Sequence, residues 1–392
     1  MKILAVNAGS SSLKFQLLEM PDEMVITSGI VERIGYDNAE FTIKVNDKKV
    51  TEKLEIKNHK VAVHLVVEGL IKHKIIKSLD EIKGVGHRVV QGGELFKDSA
   101  IITDEVVEKI KSLNDLAPLH NPANITGIQA FREALPDVIQ VAVFDTTFHQ
   151  TMNELAYLYA APYEWYKKYG VRKYGFHGTS HQYVSERAAE LLDNPNAKII
   201  VCHLGNGASL CAVDGGKSVD TSMGLTPLEG IPMGTRSGNV DPAVLMLIAA
   251  KENKTYAEVL DDLNKKSGYL GVSGISNDSR DIIDNMNKGD YRSMLAHKIQ
   301  IKRIADYIGS YYVYMGGLDA IVFTAGIGEN SPEIRKGILE AISVLGVTVD
   351  EEQNSKRGER MVSTSDSRVK AFIIPTNEEV MIAREVIRLE NL

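Results

Sequence analysis

Apolar residues run along the chain in short clusters that switch between two periods. Ile3–Val6 is a continuous apolar run, broken at a Gly/Ser turn and followed by a second apolar segment at Leu13–Leu18. Runs of this length between turn residues predict buried strands. Residues 25–56 predict further strands of an antiparallel meander. Over residues 59–77 the period changes: Val63, Val66, Val67, Leu70 and Ile71 recur at helical spacing. Gly84–Val90 predicts a strand. Thr103, followed by Asp104 and Glu105, predicts the start of a helix that runs to Leu113. A helix over Ile125–Leu135 and a strand over Val138–Phe144, ending at Asp145, complete a ββ(β)αβαβ succession. That order is expected of an α/β domain of about 150 residues.

The middle of the chain begins again in the same way. Ala197–Cys202 is an apolar strand that enters a small-residue turn and returns as Leu210–Val213. Asn7-Ala8-Gly9-Ser10-Ser11-Ser12-Leu13 and His203-Leu204-Gly205-Asn206-Gly207-Ala208-Ser209-Leu210 share this layout, with one extra residue in the second. The two begin 196 residues apart, half the chain, where a duplication would place them. Helices follow near Pro242–Glu252, Tyr256–Lys266 and Arg292–Met315. A strand at Ala320–Thr324 runs into the small-residue turn Gly326–Asn330. A last strand, Val369–Ile374, precedes a terminal helix. Two similar α/β lobes with a cleft between them are the expected architecture.

Composition narrows the function classes. The chain has 392 residues, 44% hydrophobic and 25% charged, which makes disorder, collagen-like repeats and coiled coil poor readings of the whole. A formal charge of −7 offers no electrostatic footprint for nucleic acid or an anionic membrane, so neither is expected as a partner. Anionic substrates would have to be caught by local Arg and Lys. Cys202 and Cys211 are the only cysteines, which excludes a disulfide scaffold and a cysteine-rich zinc site. Facing each other across a hairpin, they are expected as two buried thiols. Ile3–Val6 falls short of the roughly 7–15 apolar residues of a secretory h-region, so a cytoplasmic protein is expected.

Three small-residue turns follow apolar strands, at residues 7–12, 204–209 and 326–330. Such turns let backbone N–H groups converge on phosphate oxygens, since no Cβ blocks the approach. One carries Ser10, Ser12 and Lys14, which favours a nucleotide, although none matches a Walker A or dinucleotide pattern. Arg88 and Arg236 each lie among glycines, where a guanidinium fork suits carboxylate or phosphate. Asp145 ends a strand, where α/β sheets place their sites. Among His120, His149, His177 and His181, His177 is the strongest catalytic candidate. His177 and His181 have i, i+4 spacing but lack a third metal ligand. Tyr307, Tyr311 and Tyr314 predict one helix face, for core packing or a subunit interface.

In order along the chain, Asn7–Lys14 (NAGSSSLK), Gly86–Gly93 (GHRVVQGG), Phe144–Thr151 (FDTTFHQT), Tyr174–His181 (YGFHGTSH), His203–Ser209 (HLGNGAS), Asp220–Gly238, Phe323–Asn330 (FTAGIGEN) and Pro375–Glu379 (PTNEE) resemble the motifs of the acetokinase family. The resemblance is collinear to Arg384. It implies a duplicated RNase H-like fold of the actin, sugar-kinase and Hsp70 type. One domain would comprise residues 1–147 plus 380–392, the other 148–379, with the nucleotide between them. It implies a homodimer that converts ATP and acetate to ADP and acetyl phosphate with Mg²⁺, for which Mn²⁺ can substitute. Asn7 and Glu378 would hold the metal. Ser10, Ser12 and Lys14 would bind the ATP phosphates, and His203, Leu204, Gly205, Asn206 and Gly207 would form the phosphate loop. Asp278, Ser279 and Arg280, with Gly326, Ile327, Gly328, Glu329 and Asn330, would bind the nucleotide. Arg88 would bind the substrate carboxylate, beside His120. Val90, Leu119, Phe176 and Pro227 would wall a pocket for the methyl group. Asp145 would be the catalytic acid/base, and His177 and Arg236 would stabilise the transition state.

Acetate is already ionised at neutral pH, so its oxygen needs no general base. Catalysis then reduces to alignment and to neutralising charge on the phosphoryl oxygens. On this argument Asp145 positions the metal or an arginine. Gln91 stands where the family more often has His, Asn239 where it has Asp, and Ala325 where it has Gly. A propionate kinase is the nearest rival, and Val90 and Leu119 argue for the smaller pocket. A butyrate kinase fits more loosely. An actin- or Hsp70-like binding module would leave Arg88, Asp145, His177 and Arg236 unexplained.

Overall fold

The computed structural model describes residues 1–46 and 48–390. Asp47, inside the expected meander, and Asn391 and Leu392, at the end of the expected 380–392 segment, lie outside the described residues. The chain divides into two compact units, Met1–Thr147 joined by the segment from Asn377 onward, and Phe148–Thr376.

The first unit is built on eight strands: β1 (Lys2–Ala8), β2 (Ser12–Glu19), β3 (Met24–Glu32), β4 (Glu40–Val45), β5 (Lys48–Lys53), β6 (Ile82–Val89), β7 (Ala100–Ile101) and β8 (Ile139–Phe144). Their order is β5-β4-β3-β2-β1-β6-β8-β7. The first five pair antiparallel in chain order. β6 and β8 run parallel to β1, because helical segments of sufficient length intervene. Ile3–Val6 is buried on both faces, as a covered central strand requires. Leu4 and Val6 join Val63, Val66 and Phe131 of helices His59–Lys72 and Asn121–Ala134 in one cluster. On the other face the terminal helix Glu378–Glu390 packs on β1, β6 and β8. Gly84 and Gly86 admit it: a Cβ at either would collide with Val386 or Ile382.

The second unit repeats the plan. Its strands are β9 (Lys198–Leu204), β10 (Ala208–Asp214), β11 (Lys217–Thr221), β12 (Ala320–Thr324), β13 (Arg360–Met361) and β14 (Lys370–Ile373), in the order β11-β10-β9-β12-β14-β13. β11-β10-β9 is antiparallel, and β12 and β14 continue parallel to β9. This matches β3-β2-β1-β6-β8 strand for strand, so the internal repeat is a duplicated RNase H-like topology. Among the described residues, no helix is long and apolar enough to cross a membrane.

Three local expectations are corrected. Residues 326–330 do not form an open turn but a short helix, Ala325–Asn330. Cys202 and Cys211 do not face each other. In the hairpin register Cys202 pairs with Leu210 and Cys211 with Val201, which sends the thiols to opposite faces. Both are free and buried, and burial pushes the Cys211 thiol up to about 12. The tyrosines of helix Tyr291–Met315 do not share one environment: Tyr311 is buried and Tyr314 exposed.

Candidate active site

In the first unit the parallel register of β6 and β8 pairs Val89 with Phe144. Arg88 and Asp145 therefore emerge at the same sheet end. The backbone N–H of Asp145 donates to the Val89 carbonyl at 3.0 Å, which holds the residue as the strand leaves the sheet. Arg88 then makes a fork onto the carboxylate, Nε to Oδ1 at 2.8 Å and Nη2 to Oδ2 at 2.7 Å. Glu378, at the start of the terminal helix, lies 3.8 Å from Arg88 Nη1. Burial opposes the charge of Arg88, but Asp145 and Glu378 outweigh it and hold the guanidinium above its usual range. Burial also pushes the Glu378 carboxyl up; Arg88 opposes this, and the Asp145 charge reinforces it. Lys14 acts on Glu378 from β2, opposite Asn7 in the β1–β2 register. Asn7, Lys14, Arg88, Asp145 and Glu378 thus belong to one region of one unit.

The loop after Arg88 is held by residues that sequence reasoning missed. Asn124 Oδ1 accepts from Val90 N, and Asn121 binds both the N–H and the carbonyl of Gln91. Gln91 is fully buried, and its Oε1 accepts from Gly93 N at 2.8 Å, so the amide caps its own loop. Ser10 is exposed in the turn after β1 and Ser12, at the start of β2, is half-buried; Gly9 N donates to Ser12 O across the turn. Val90 and His120 are half-buried, while Leu119 is 74% exposed.

In the second unit the β9–β10 hairpin carries Gly205, Asn206 and Gly207 at its tip. His203 and Leu204 are buried at the end of β9. His177 stands at the head of helix Gly178–Leu191 with φ +57°, a left-handed conformation disfavoured for a side chain. Its ring stacks on that of His203, with centroids 4.1 Å apart and planes at 18°. Phe176, just before it, is buried, and its carbonyl accepts from His149 Nε2 at 2.9 Å. Pro227 is half-buried.

Arg236 has no carboxylate partner among the described residues. It reaches the Pro227 carbonyl at 3.5 Å and Met233 Sδ at 3.8 Å. Burial alone acts on it and lowers its affinity for the proton. A methyl built at Gly207 would lie 3.4 Å from Arg236 Nη1 and 3.7 Å from His177 Nε2. Both side chains therefore aim at the small-residue hairpin, and only a glycine leaves that space open. Asn239 explains itself here: its Oδ1 accepts from Gly230 N and its Nδ2 donates to Tyr307, a pair of roles an ionised Asp lacks.

Eight of the residues expected at the nucleotide line one cavity of about 710 Å³, open between Gly205–Asn206, the Asp278–Arg280 helix start and the Ala325–Asn330 helix. Its size suits a nucleoside. Asp278 caps its helix and holds Arg280, whose hydrogen bond lowers the Asp278 pKa. Gly328 is buried in the short helix, and Arg335 grips its carbonyl at 2.8 Å. Glu329 Oε1 accepts from Thr376 N at 3.3 Å. Buried side chains support the histidine rings: Ser209 bonds to both His177 and His181, Ser180 to His203, and Ser218 to His149. Only the i, i+4 spacing of His177 and His181 hinted at these contacts.

The acetokinase family model matches residues 2–384. Acetate kinase of Acholeplasma laidlawii is 64% identical over 392 residues, covering all of both chains. Two solved structures, each 44% identical, superpose closely. An acetate kinase from Porphyromonas gingivalis has a TM-score of 0.95 and covers 99% of both chains. A propionate kinase from Francisella tularensis has a TM-score of 0.94 and covers 100% of this chain and 99% of its own. With a doubled RNase H-like sheet, a glycine-tipped hairpin beneath an unneutralised arginine and a match along nearly its whole length, this chain belongs to the acetokinase family.

Proposed function

We propose that the chain transfers the γ-phosphoryl group of ATP to acetate, reversibly, giving ADP and acetyl phosphate by direct in-line displacement. The observation that carries this reading is Arg236. A half-buried guanidinium, without a carboxylate partner among the described residues and lying with His177 at a glycine-tipped hairpin, is a site for anionic charge. His177 and Arg236 are assigned to the equatorial phosphoryl oxygens. The hairpin residues 203–207 and the 710 Å³ cavity are assigned to the nucleotide. Ser10, Ser12 and Lys14 are assigned to its phosphates.

Arg88 is assigned to the acetate carboxylate, with Asp145 fixing the guanidinium plane rather than moving a proton. Val90, Leu119, His120, Phe176 and Pro227 are assigned to the acyl group. Mg²⁺ fits the donors present: Asn7 offers an amide oxygen, and the Glu378 carboxylate, whose charge burial disfavours, gains from a cation. Mg²⁺ is commonly held by one or two carboxylates together with substrate phosphates. Bound there, it would neutralise phosphate charge. A cytoplasmic homodimer is the proposed state. Helix Ala243–Glu252 supports the dimer, since only Ala249 is buried while Met246 and Leu247 are exposed.

The test is Mg²⁺–ATP-dependent acyl hydroxamate formation with acetate, propionate and butyrate. The expected result is the highest kcat/KM with acetate. Equal or better activity with propionate would favour the second reading, which the Francisella structure keeps open at 44% identity against 64% for the Acholeplasma acetate kinase. ATP binding without any acyl phosphate would favour a binding module.

A further inference from the structure

The half-buried His177 and the buried His181 are linked by one serine hydroxyl, that of Ser209, and the linkage decides which ring nitrogen carries a proton. Ser209 Oγ lies 2.9 Å from His177 Nδ1 and 2.7 Å from His181 Nε2. A hydroxyl has one proton to give, so it donates to one ring and accepts from the other. His181 is fully buried, and its Nδ1 has no hydrogen-bond partner among the described residues. A proton on that nitrogen would be an orphaned donor in the interior, which folded proteins avoid more strictly than a bare acceptor. Burial, with His149 and His203 adding to it, holds His181 well below the usual imidazole range, so the ring carries a single proton. That proton belongs on Nε2. His181 then donates to Ser209, and Ser209 donates to His177 Nδ1. His177 is left with its own proton on Nε2. With both rings singly protonated, the chain His181 Nε2–H, Ser209 O–H, His177 Nδ1 has one donor for each acceptor.

His177 Nε2 is the atom that, with Arg236 Nη1, borders the open space above Gly207. We propose that Ser209 and His181 are positioning residues that lock His177 in its Nε2–H tautomer, so that it offers the transferring phosphoryl group a hydrogen-bond donor beside Arg236. This rests on the assignment of His177 to the phosphoryl oxygens in the proposed reaction. A wrong tautomer would turn a lone pair toward developing negative charge and convert a stabilising contact into a repulsive one.

The experiment joins a spectrum to kinetics on the full chain. Long-range ¹H–¹⁵N correlation of histidine-labelled protein at neutral pH should show His177 and His181 each protonated on Nε2 alone. Ser209→Ala should mix the His177 tautomers and lower kcat about a hundredfold, with KM for ATP and acetate within about twofold. His181→Gln keeps an N–H donor facing Ser209 and should hold kcat within about fivefold, whereas His181→Leu should match Ser209→Ala. A wild-type spectrum with His177 protonated on Nδ1 overturns the proposal, as does Ser209→Ala with unaltered kcat. Should Ser209→Ala not fold, the wild-type spectrum and His181→Gln decide the matter. A wild-type chain that makes no acyl phosphate would sink the kinase reading instead, and the spectrum would still confirm or overturn the tautomer assignment.

Discussion

Arg88 and Arg236 look alike in sequence, each an arginine among glycines, and the fold treats them in opposite ways. Arg88 is gripped by Asp145 through two hydrogen bonds and approached by Glu378, so its charge is neutralised and its plane fixed. Arg236 meets one carbonyl and one thioether, and burial works against its charge with nothing to oppose it. A neutralised, oriented guanidinium suits a substrate whose charge is present throughout. An unneutralised one gains most when charge grows on a neighbouring group, and interactions that strengthen in the transition state are the ones that raise kcat.

The sharpest break of this contrast is at Arg236. Arg236→Ala should lower kcat by about a thousandfold and leave KM nearly unchanged, the behaviour of a group used in the transition state. Thermal stability should hold or rise, since a half-buried cation without a carboxylate partner among the described residues is removed. A raised KM with intact kcat would move Arg236 to ground-state binding. At the other pole, Asp145→Asn should cost stability, on the order of 3 kcal/mol, by leaving the Arg88 fork half-answered. Its kcat should fall about a hundredfold at every pH, read from kcat–pH profiles. A loss confined to one pH limb would return Asp145 to proton transfer.

Glu378 sharpens the comparison through its pKa. Burial raises the folded carboxyl above the ordinary 4.5, with Arg88 opposing. A carboxyl with a raised folded pKa contributes its full stability below the unfolded value and loses it as pH climbs through the folded one. Glu378→Gln, neutral throughout, should therefore melt above the wild type at neutral pH, and the gap should close as pH falls toward 4.5. A constant gap in melting temperature would mean that Arg88 keeps Glu378 ionised in the fold at all these values.

What could be read from the sequence follows from the range over which each signal acts. β1, β8, β9 and β12 were legible as apolar runs because strands covered on both faces have little polar content. The repeat of Asn7–Leu13 at His203–Leu210 pointed to a second copy, and the strand orders show it. The short helix at Ala325–Asn330 was illegible, since Gly326 and Gly328 are poor helix formers and the turn is held by Arg335 of the next helix. The loop clamps Asn121 and Asn124 lie about thirty residues from the backbone they hold, beyond any local pattern. Arg88, Asp145 and Glu378 were legible as separate motifs, but their mutual pairing depends on the β6–β8 register and on where the last helix docks.

Two left-handed residues in the second unit offer the smallest and cleanest test. His177 at φ +57° and Ala325 at φ +64° both occupy a region that costs a side chain about 1–2 kcal/mol. At His177 the strain is offset by the contacts of its ring with Ser209 and His203. At Ala325 a methyl group returns nothing comparable. Glycine removes the steric cost but adds chain entropy to the unfolded state, worth about 0.5–1 kcal/mol. Ala325→Gly should therefore gain about 0.5 kcal/mol in denaturant melts and leave kcat where it is. A kcat change would show that the backbone at Ala325 is held strained to aim the helix behind it at the 710 Å³ cavity, as the backbone at His177 is held to aim its ring.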